Sequence, residues 1–347
     1  MIATLDPRET RLLNEFQRGF PLAREPYAVI AERLGTDVAW VRATLARFLA
    51  DGRVSRVGAV LRPGAVGVST LAALAVPEGE LAAVAAMVSA RPEVNHNYER
   101  EHRYNLWFVA MAADGAALDE ALAAIARDTG YAPITLPLVA DYWIDLAFDL
   151  AGAGKPVARA PRRLRSGQRT PPRVDLGVAD RRLIDALAGG LPVCPQPYAA
   201  LAAATSLPEA YVQTRIADWL NRGVITRLGI VVRHRELGYC ANAMCVWDVP
   251  DAWADAVGEA LAREPGVTLC YRRARALLAW RYNLYCMIHG RDRVSVLARI
   301  EALARAHDLD GFASAVLFSR RAFKQRGAHY ALGEASLRGA VGAASPA

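Results

Sequence analysis

The feature that most constrains this chain is a long internal repeat. Five residues of the first half return without a gap in the second half, at a constant offset of 171 positions (223 − 52): Gly52, Arg56, Gly58, Arg62 and Gly67 correspond to Gly223, Arg227, Gly229, Arg233 and Gly238. Solenoid repeats have periods of about 20 to 50 residues, whereas this unit is about 150 residues long. The sequence therefore predicts a tandem duplication rather than a solenoid.

Each half begins with a pattern of three short helices. Asp6–Glu9 combines an N-cap acid, a proline at N1 and an acid at N3, which indicate the start of a helix. Gly35 separates the second helix from the third, Gly52 ends the third, and Val54–Leu61 alternates like a two-stranded wing. Ser206–Glu209 predicts a capping box on the third helix of the second copy. Each half is therefore expected to open with a winged helix-turn-helix.

The rest of each half follows the order strand, helix, strand, strand, helix, strand. In the first half the predicted elements cover Ser69–Val76, Glu80–Arg91, Val94–Arg100, Tyr104–Met111, Ala116–Thr129 and Ile134–Ile144. In the second half they cover Ala241–Asp248, Trp253–Glu264, Val267–Arg273, Arg281–Ile288, Arg293–His307 and Phe312–Ser319. This order is the ferredoxin-like βαββαβ arrangement. We therefore predict an α+β fold in which a winged helix-turn-helix precedes a ferredoxin-like sandwich in each half.

Charge marks the boundary between the halves. The chain has 42 basic and 35 acidic residues, and seven of the basic residues lie between Lys155 and Arg173 with no acidic residue among them. Because this segment also contains four prolines, it is predicted to be an extended, self-repelling linker. The predicted domains are 1–62 (winged helix-turn-helix), 63–150 (ferredoxin-like), 151–177 (linker), 178–233 (second winged helix-turn-helix), 234–330 (second ferredoxin-like domain) and 331–347 (flexible tail).

Composition argues against several classes of protein. Without the linker, 35 basic residues (42 − 7) face 35 acidic ones, so bulk charge gives no reason to expect DNA binding. The helices that would read DNA begin with an acid and an aromatic residue, which suits phosphate contact poorly. No apolar run reaches the roughly 18 residues of a membrane span. Five cysteines without a C-x-x-C pair favour free thiols in a reducing compartment, so a cytoplasmic protein without a DNA or membrane partner is expected.

The unusual chemistry lies in the hairpin Val94–Val109 of the first half. Strand alternation places three side chains on one face and three on the other, namely His96, Tyr98 and Arg100 against Asn95, Asn97 and Glu99. His102 falls in the turn, close to the point where Tyr104 enters the return strand. Two imidazoles that titrate near neutral pH, with cations and phenols beside them, predict an acid–base site for an anionic substrate. The alternative is a structural role for each histidine.

The second half does not reproduce this site. Leu269 stands where the first half has His96, and the longer loop Ala274–Trp280 has no histidine, so acid–base chemistry is predicted in one half only. A later run, Leu317–Gly327, carries cations among aromatic residues and favours contact with a flat anion. A solvated terminus is the alternative interpretation of this run.

Four stretches together resemble the siroheme decarboxylases, enzymes with the fold of the Lrp/AsnC regulators. They are Val94–Val109 (VNHNYEREHRYNLWFV), Cys270–Arg273 (CYRR), Tyr282–Gly290 (YNLYCMIHG) and Leu317–Gly327 (LFSRRAFKQRG). The one departure is Arg281, where the family pattern has proline. The resemblance implies loss of CO2 from the C12 and C18 acetates of siroheme, giving 12,18-didecarboxysiroheme for the synthesis of heme d1 or heme. Members of the family usually pair two related subunits, which here would be fused into a pseudo-dimer.

The resemblance also implies roles for individual residues. The catalytic pair would be His96 and His102, one donating a proton and the other polarising the ring, steering the acetate or ligating the substrate iron. Siroheme would be bound by Tyr98, Arg100, Tyr104, Asn105, Trp107, Tyr271, Arg272, Arg273, Tyr282, Asn283, Arg320, Arg321 and Lys324. No cofactor and no metal site of the protein's own are expected, because the substrate carries the iron. A homodimer and an assembly with homologous decarboxylase subunits both stay open.

Two other functions stay open at this point. A transcriptional regulator of the Lrp/AsnC type would bind DNA through its helix-turn-helix modules and a small effector in the sandwich. A carrier or sensor would bind a tetrapyrrole without turnover.

Overall fold

The computed structural model describes residues 5–144, 147–148, 150 and 174–327. Most of the predicted linker and all of the predicted tail lie outside these residues. Within the described ranges, no helix has the length and apolar character that would let it cross a membrane. The five cysteines are free thiols.

The elements of both halves confirm the predicted order. In the described part of the first half they are α1 (Pro7–Phe16), α2 (Pro26–Leu34), α3 (Val38–Ala50), β1 (Val54–Leu61), β2 (Val68–Leu74), α4 (Leu81–Ala90), β3 (Val94–Arg100), β4 (Leu106–Ala112), α5 (Gly115–Thr129) and β5 (Ile134–Ile144). In the second half they are α6 (Val178–Gly189), α7 (Pro197–Thr205), α8 (Glu209–Asn221), β6 (Ile225–Val232), a short 3₁₀ helix (His234–Leu237), β7 (Ala241–Trp247), α9 (Asp251–Leu261), β8 (Val267–Arg273), β9 (Leu284–Gly290), α10 (Arg293–Ala306) and β10 (Ser314–Gln325). Each half therefore has three helices followed by one strand and then the βαββαβ order.

The predicted helix start is confirmed for α1 and wrong for α8. The Asp6 carboxylate accepts a hydrogen bond from the Glu9 amide at 2.8 Å, and the Glu9 carboxylate accepts one from the Asp6 amide at 3.0 Å. In the second half, Ser206 ends α7 in the left-handed conformation (φ 54°) instead of capping α8. Pro208 holds the backbone extended just before Glu209, so α8 begins there without a side-chain cap.

The predicted wings are wrong in their pairing. Val54–Leu61 is one continuous strand, and it pairs antiparallel with β6 of the other half instead of folding into a hairpin. Gly58 lies opposite Gly229 in the middle of this two-stranded ribbon, which we call the ribbon β1–β6. A side chain has no room at Gly229, because its Cβ would lie 2.0 Å from the carbonyl oxygen of Gln17. The repeat therefore builds an interface between the halves where a separate wing was expected in each.

The remaining strands of both halves form one closed sheet in the order β10-β3-β4-β2-β5-β8-β9-β7. The last strand of each half is long, 11 residues in β5 and 12 in β10, because it pairs in succession with two partners. β5 pairs with β2 and then with β8, while β10 pairs with β7 and then with β3. Each half thus completes the sheet of the other, so the chain is a fused pseudo-dimer of two repeated units.

Helices cover the outer face of the closed sheet, and large side chains occupy its inside. α4 and α5 pack on the first half's strands and α9 and α10 on the second half's strands, around two separate apolar cores. On the inner face, Trp107, Trp280 and Tyr285 belong to a further apolar cluster. A buried ion pair of 2.7 Å between Arg62, after β1, and Asp141 of β5 ties the ribbon β1–β6 to the sheet.

Candidate active site

A cavity of about 310 Å³ lies between one end of the closed sheet and the ribbon β1–β6. Strands of both halves contribute to its wall, and the carboxyl end of α6 borders it. Large apolar side chains form much of the surface, among them Trp107, Phe108, Met244, Tyr271 and Met287. A concave wall of this kind suits a flat ligand with a mainly apolar body.

The polar part of the cavity wall is cationic. The described residues that line it include five arginines and three histidines and no aspartate or glutamate. They are Arg56, Arg100, Arg227, Arg273 and Arg326, with His96, His234 and His289. Cations in a space that excludes bulk water attract an anion more strongly than they would in water. The cavity is therefore suited to a ligand that carries several negative charges.

Arg100 and Arg56 form no ion pair with a carboxylate among the described residues. The guanidinium of Arg100 donates to the carbonyl oxygen of Leu317 at 3.2 Å and contacts Met287 Sδ at 3.9 Å. Arg56 donates to the carbonyl oxygen of Ala59 at 3.2 Å. Burial lowers the pKa of both guanidinium groups, although an arginine side chain stays charged. A bound anion would offset this unfavourable burial of charge.

His96 reaches the cavity from β3 together with Tyr98 and Arg100, as strand alternation predicts. The centroids of the His96 and Tyr98 rings lie 6.1 Å apart. Burial, with a smaller contribution from Arg56, lowers the pKa of His96 to about 4. The imidazole is therefore neutral at pH 7 in the ligand-free protein, and carboxylates of a ligand would raise its pKa again.

The other face of β3 is only partly as predicted. Asn97 points away from the cavity and donates to the carbonyl oxygen of Ala85 in α4 at 3.1 Å. Asn95, in contrast, lines the cavity. The register of β3 against β4 shifts between Val94 and His96, and this irregularity breaks the strict alternation.

Two cavity histidines come from the second half, for which the sequence predicted no acid–base chemistry. His234 follows β6 and His289 lies near the end of β9, and their ring centroids are 4.6 Å apart. Burial lowers the pKa of His234 to about 4 and the pKa of His289 well below 6.5. Alternation along β9 offered a signal for His289, because Tyr285 and Met287 share its face.

His102 is not among the residues that line the cavity, although Arg100, two residues before it, is. His102 Nδ1 accepts a hydrogen bond from the Tyr104 amide at 3.1 Å, and its ring packs against Trp280 at 5.1 Å between centroids. Trp280, 2% exposed, comes from the longer loop of the second half and also packs against Tyr104 and Tyr282. Of the two predicted catalytic histidines, the structure therefore places His96 on the cavity wall.

The repeated Tyr-Asn-Leu motif has a structural function. Asn105 accepts a hydrogen bond from the Val76 amide at 3.0 Å and donates to the Val76 carbonyl at 2.8 Å. Asn283 makes the same two contacts with the backbone of Val249, both at 2.9 Å. Each asparagine thus ties the start of a return strand to the chain after a neighbouring strand. The structure does not place Asn105 or Asn283 on the cavity wall.

Four predicted substrate-binding cations also lie away from the cavity. Arg272 forms ion pairs with Asp251 at 2.9 Å and Asp255 at 3.4 Å. The ammonium of Lys324 donates to the carbonyl oxygens of Ser89 and Arg91 at the end of α4. The remaining two are exposed residues of β10, Arg320 near two glutamates and Arg321 over Phe323. Alternation within a strand could not reveal that these positions of β10 face outward, because the strand changes partners midway.

The helices that would read DNA use polar side chains within the fold. Arg47 of α3 forms an ion pair with Glu9. Arg215 of α8 binds Asp180 at 2.7 Å, and the Tyr211 hydroxyl donates to the same carboxylate at 2.8 Å. Within the residues that the structure describes, no group of three or more His, Cys, Asp or Glu side chains could hold a metal ion.

Comparison with known proteins shows which family the chain resembles. Its residues 65–142 and 236–324 match the family model "AsnC-like ligand binding domain", and residues 9–54 and 180–225 match "Siroheme decarboxylase NirDL-like HTH domain". The siroheme decarboxylase NirDL subunit of Paracoccus pantotrophus is 44% identical over 326 residues, which are 94% of this chain and 98% of that protein. The siroheme decarboxylase NirD subunit of Pseudomonas aeruginosa is 56% identical over 146 residues, 42% of this chain and 97% of its own length.

A solved structure is also similar to this chain in fold. The crystal structure of the siroheme decarboxylase NirDL in co-complex with an iron-uroporphyrin III analogue is 26% identical and superposes with a TM-score of 0.66, covering 97% of this chain and 99% of that one. The similarity extends over both halves, including the closed sheet. The chain therefore belongs to the siroheme decarboxylase family and carries both repeats in one polypeptide.

Proposed function

We propose that the chain is a siroheme decarboxylase, a carbon–carbon lyase. It would remove the C12 and C18 acetate carboxyl groups of siroheme as CO2 and yield 12,18-didecarboxysiroheme, in heme d1 synthesis or the alternative route to heme. The observation that carries this proposal is the cavity wall, whose described residues include five arginines, three histidines and no acid around aromatic and methionine side chains. Siroheme has the matching features, since it is a flat macrocycle with many carboxylates.

The arginines would hold the carboxylates that do not react. Arg56 and Arg227 occupy equivalent positions of the repeat and approach from the ribbon β1–β6, whereas Arg100 and Arg273 approach from the closed sheet. An arginine bound to the reacting acetate would stabilise the ground state and slow the loss of CO2. The reacting acetate is therefore assigned to a position beside a histidine, with the arginines on the other side chains of the ring.

His96 is the proton donor in this proposal. Breaking the bond to the carboxyl carbon releases CO2 and leaves the electron pair on the methylene carbon, and one proton then completes the methyl group. Carboxylates of bound siroheme would raise the pKa of His96 from about 4 and make its proton available near neutral pH. Because His102 lies outside the cavity, we assign it to the packing around Trp280 rather than to catalysis.

This chemistry requires no cofactor, because the reaction exchanges no electrons with a second reactant. The substrate's iron is the only metal in the proposal. One chain supplies both halves of the cavity wall, so we propose the single polypeptide as the minimal active unit, with siroheme as its ligand and without a DNA partner. A second copy or homologous subunits would add to this unit rather than complete the cavity.

Anaerobic incubation with siroheme followed by mass measurement tests the proposal. Wild-type protein should remove one and then two CO2 units. His96→Ala should bind siroheme within a few-fold of wild type and turn it over about 10²–10⁴-fold more slowly, the usual contribution of general acid catalysis. The matched control is His307→Ala, which removes a histidine bonded to Glu264 away from the cavity and should behave as wild type.

Three other outcomes would contradict the proposal. Siroheme that stays unaltered while it comigrates with wild-type protein would identify a carrier. Salt-sensitive retention on DNA without affinity for the pigment would identify a regulator. Unchanged turnover in His96→Ala would refute the assignment of the proton donor.

A further inference from the structure

Thr268 holds His289 in one tautomer. The Thr268 hydroxyl donates to the carbonyl oxygen of Met287 at 3.0 Å, and its oxygen lies 2.8 Å from Nδ1 of His289. A hydroxyl has one proton to donate. A carbonyl oxygen can only accept, so both contacts are hydrogen bonds only when the hydroxyl donates to Met287 and Nδ1–H of His289 donates to the Thr268 oxygen.

The remaining ring nitrogen, Nε2, therefore carries a lone pair on a side chain that lines the cavity. Across the described ranges of the chain, no hydrogen bond engages this nitrogen. The ring is held in place by Phe148 and His234, whose centroids lie 5.2 and 4.6 Å from its own. A neutral imidazole whose other N–H is bonded to an oxygen is the form in which histidine coordinates metals.

The same geometry separates the role of His289 from that of His96. A general acid must present an N–H to the substrate. The N–H of His289 is hydrogen-bonded to Thr268, which leaves only a lone pair at Nε2. This side chain is therefore suited to bind an electron-poor centre. In an iron tetrapyrrole the electron-poor centre is the iron.

On the basis of the proposed function, we infer that Nε2 of His289 is the protein's ligand to the iron of the bound tetrapyrrole, and that Thr268 is the positioning residue that orients it. Iron ligation would fix the centre of the macrocycle, and the arginines of the cavity wall would fix its rotation through the peripheral carboxylates. Together these contacts would present one acetate at a time to His96.

Paired binding titrations with iron uroporphyrin III and metal-free uroporphyrin III test this inference. Both probes carry the peripheral carboxylates, and only one carries iron. His289→Ala should weaken binding of the iron form at least tenfold and leave the affinity for the metal-free form within about twofold. Thr268→Val, which keeps the side-chain volume and removes the hydroxyl, should weaken the iron form about tenfold, the lower range for losing a group that orients a metal ligand. Thr268→Ser should restore it.

The absorption spectrum of the bound iron form distinguishes iron ligation by His289 from a merely structural role of this residue, which would not shift the Soret band. The Soret band should shift on binding to wild-type protein and to the control His307→Ala, and should lack this shift in His289→Ala. Free imidazole added to His289→Ala should restore the shift by occupying the vacated position. A circular dichroism spectrum of each variant checks that it is folded.

The outcomes separate the two proposals. If wild-type protein binds neither porphyrin, the proposed function fails. If it binds both, and His289→Ala keeps wild-type affinity and an unchanged Soret band with the iron form, the assignment of the iron ligand is overturned while the proposed function stands. If His289→Ala weakens both porphyrins equally, His289 shapes the cavity and does not bind iron, which also overturns it.

Discussion

Acidification should destabilise the fold in a window set by the cavity histidines. Burial lowers the pKa of His96 and His234 to about 4, and that of His289 well below 6.5. In the unfolded chain these side chains titrate near 6.5. Between these values the unfolded state binds more protons than the folded state, so the stability present above pH 6.5 is lost as the pH falls.

The size of this loss in the free energy of unfolding depends on how many protons the unfolded chain binds and the folded chain does not. Each buried histidine changes the free energy of unfolding by up to about 1.4 kcal/mol per pH unit. For His96 and His234 together, the loss between pH 6.5 and pH 5 is about 3 kcal/mol, and the lowered pKa values of His289 and His102 add to it. This is a large fraction of the whole stability of many domains, about 5–15 kcal/mol. Carboxylates in ion pairs, such as Asp51 and Glu101, have lowered pKa values and titrate below this window.

Urea unfolding followed by circular dichroism at half-unit steps from pH 6.5 to pH 5 measures the effect. His96→Gln should reduce the loss by up to about 2 kcal/mol, because it removes one proton that only the unfolded chain binds in this window. A free energy of unfolding that stays constant over this window, or a loss that is unchanged in His96→Gln, would refute the reasoning.

Two further predictions concern the contacts that join the halves. Gly229→Ala should destabilise the fold by about 3 kcal/mol in urea unfolding, because the new Cβ would lie 2.0 Å from the Gln17 carbonyl oxygen. The control Gly79→Ala should have little effect, because no atom lies within 4 Å of the new Cβ. Equal effects of the two substitutions would contradict the packing at Gly229. Arg62→Met should destabilise the fold by about 3 kcal/mol, because it removes one member of a buried ion pair with Asp141. Arg127→Met, from an exposed pair with Glu120, should leave the free energy of unfolding nearly unchanged. A neutral Arg62→Met would show that the pair does not hold the ribbon β1–β6 to the sheet.

Local patterns were sufficient to predict most elements. The predicted bounds of three strands, Val94–Arg100, Ile134–Ile144 and Val267–Arg273, agree with the structure. In these segments alternating side chains and flanking turn residues act within a few positions of each other, so the sequence contains the whole signal. The same is true of the capping box at Asp6, whose partners are three residues apart.

Pairing between the halves could not be predicted in this way. An alternating run such as Val54–Leu61 has the same pattern whether it folds back as a hairpin or pairs with a distant strand. For the site, the sequence correctly brought His96, Tyr98 and Arg100 to one face of β3. Alternation along β9 gave a signal for His289, but no local pattern showed that His234 joins it in the same cavity or that His102 is absent from the cavity wall.

The last strand of each half pairs with a strand of the other half, and this pairing has a consequence for biosynthesis. β3 gains its outer neighbour only through Ser319–Gln325, so the first half leaves the ribosome with an unsatisfied strand edge. Exposed edges of this kind pair readily with other chains. The nascent first half therefore exposes unpaired edges on β1, β3 and β5 during translation, and the edge of β3 stays open longest, until synthesis reaches β10.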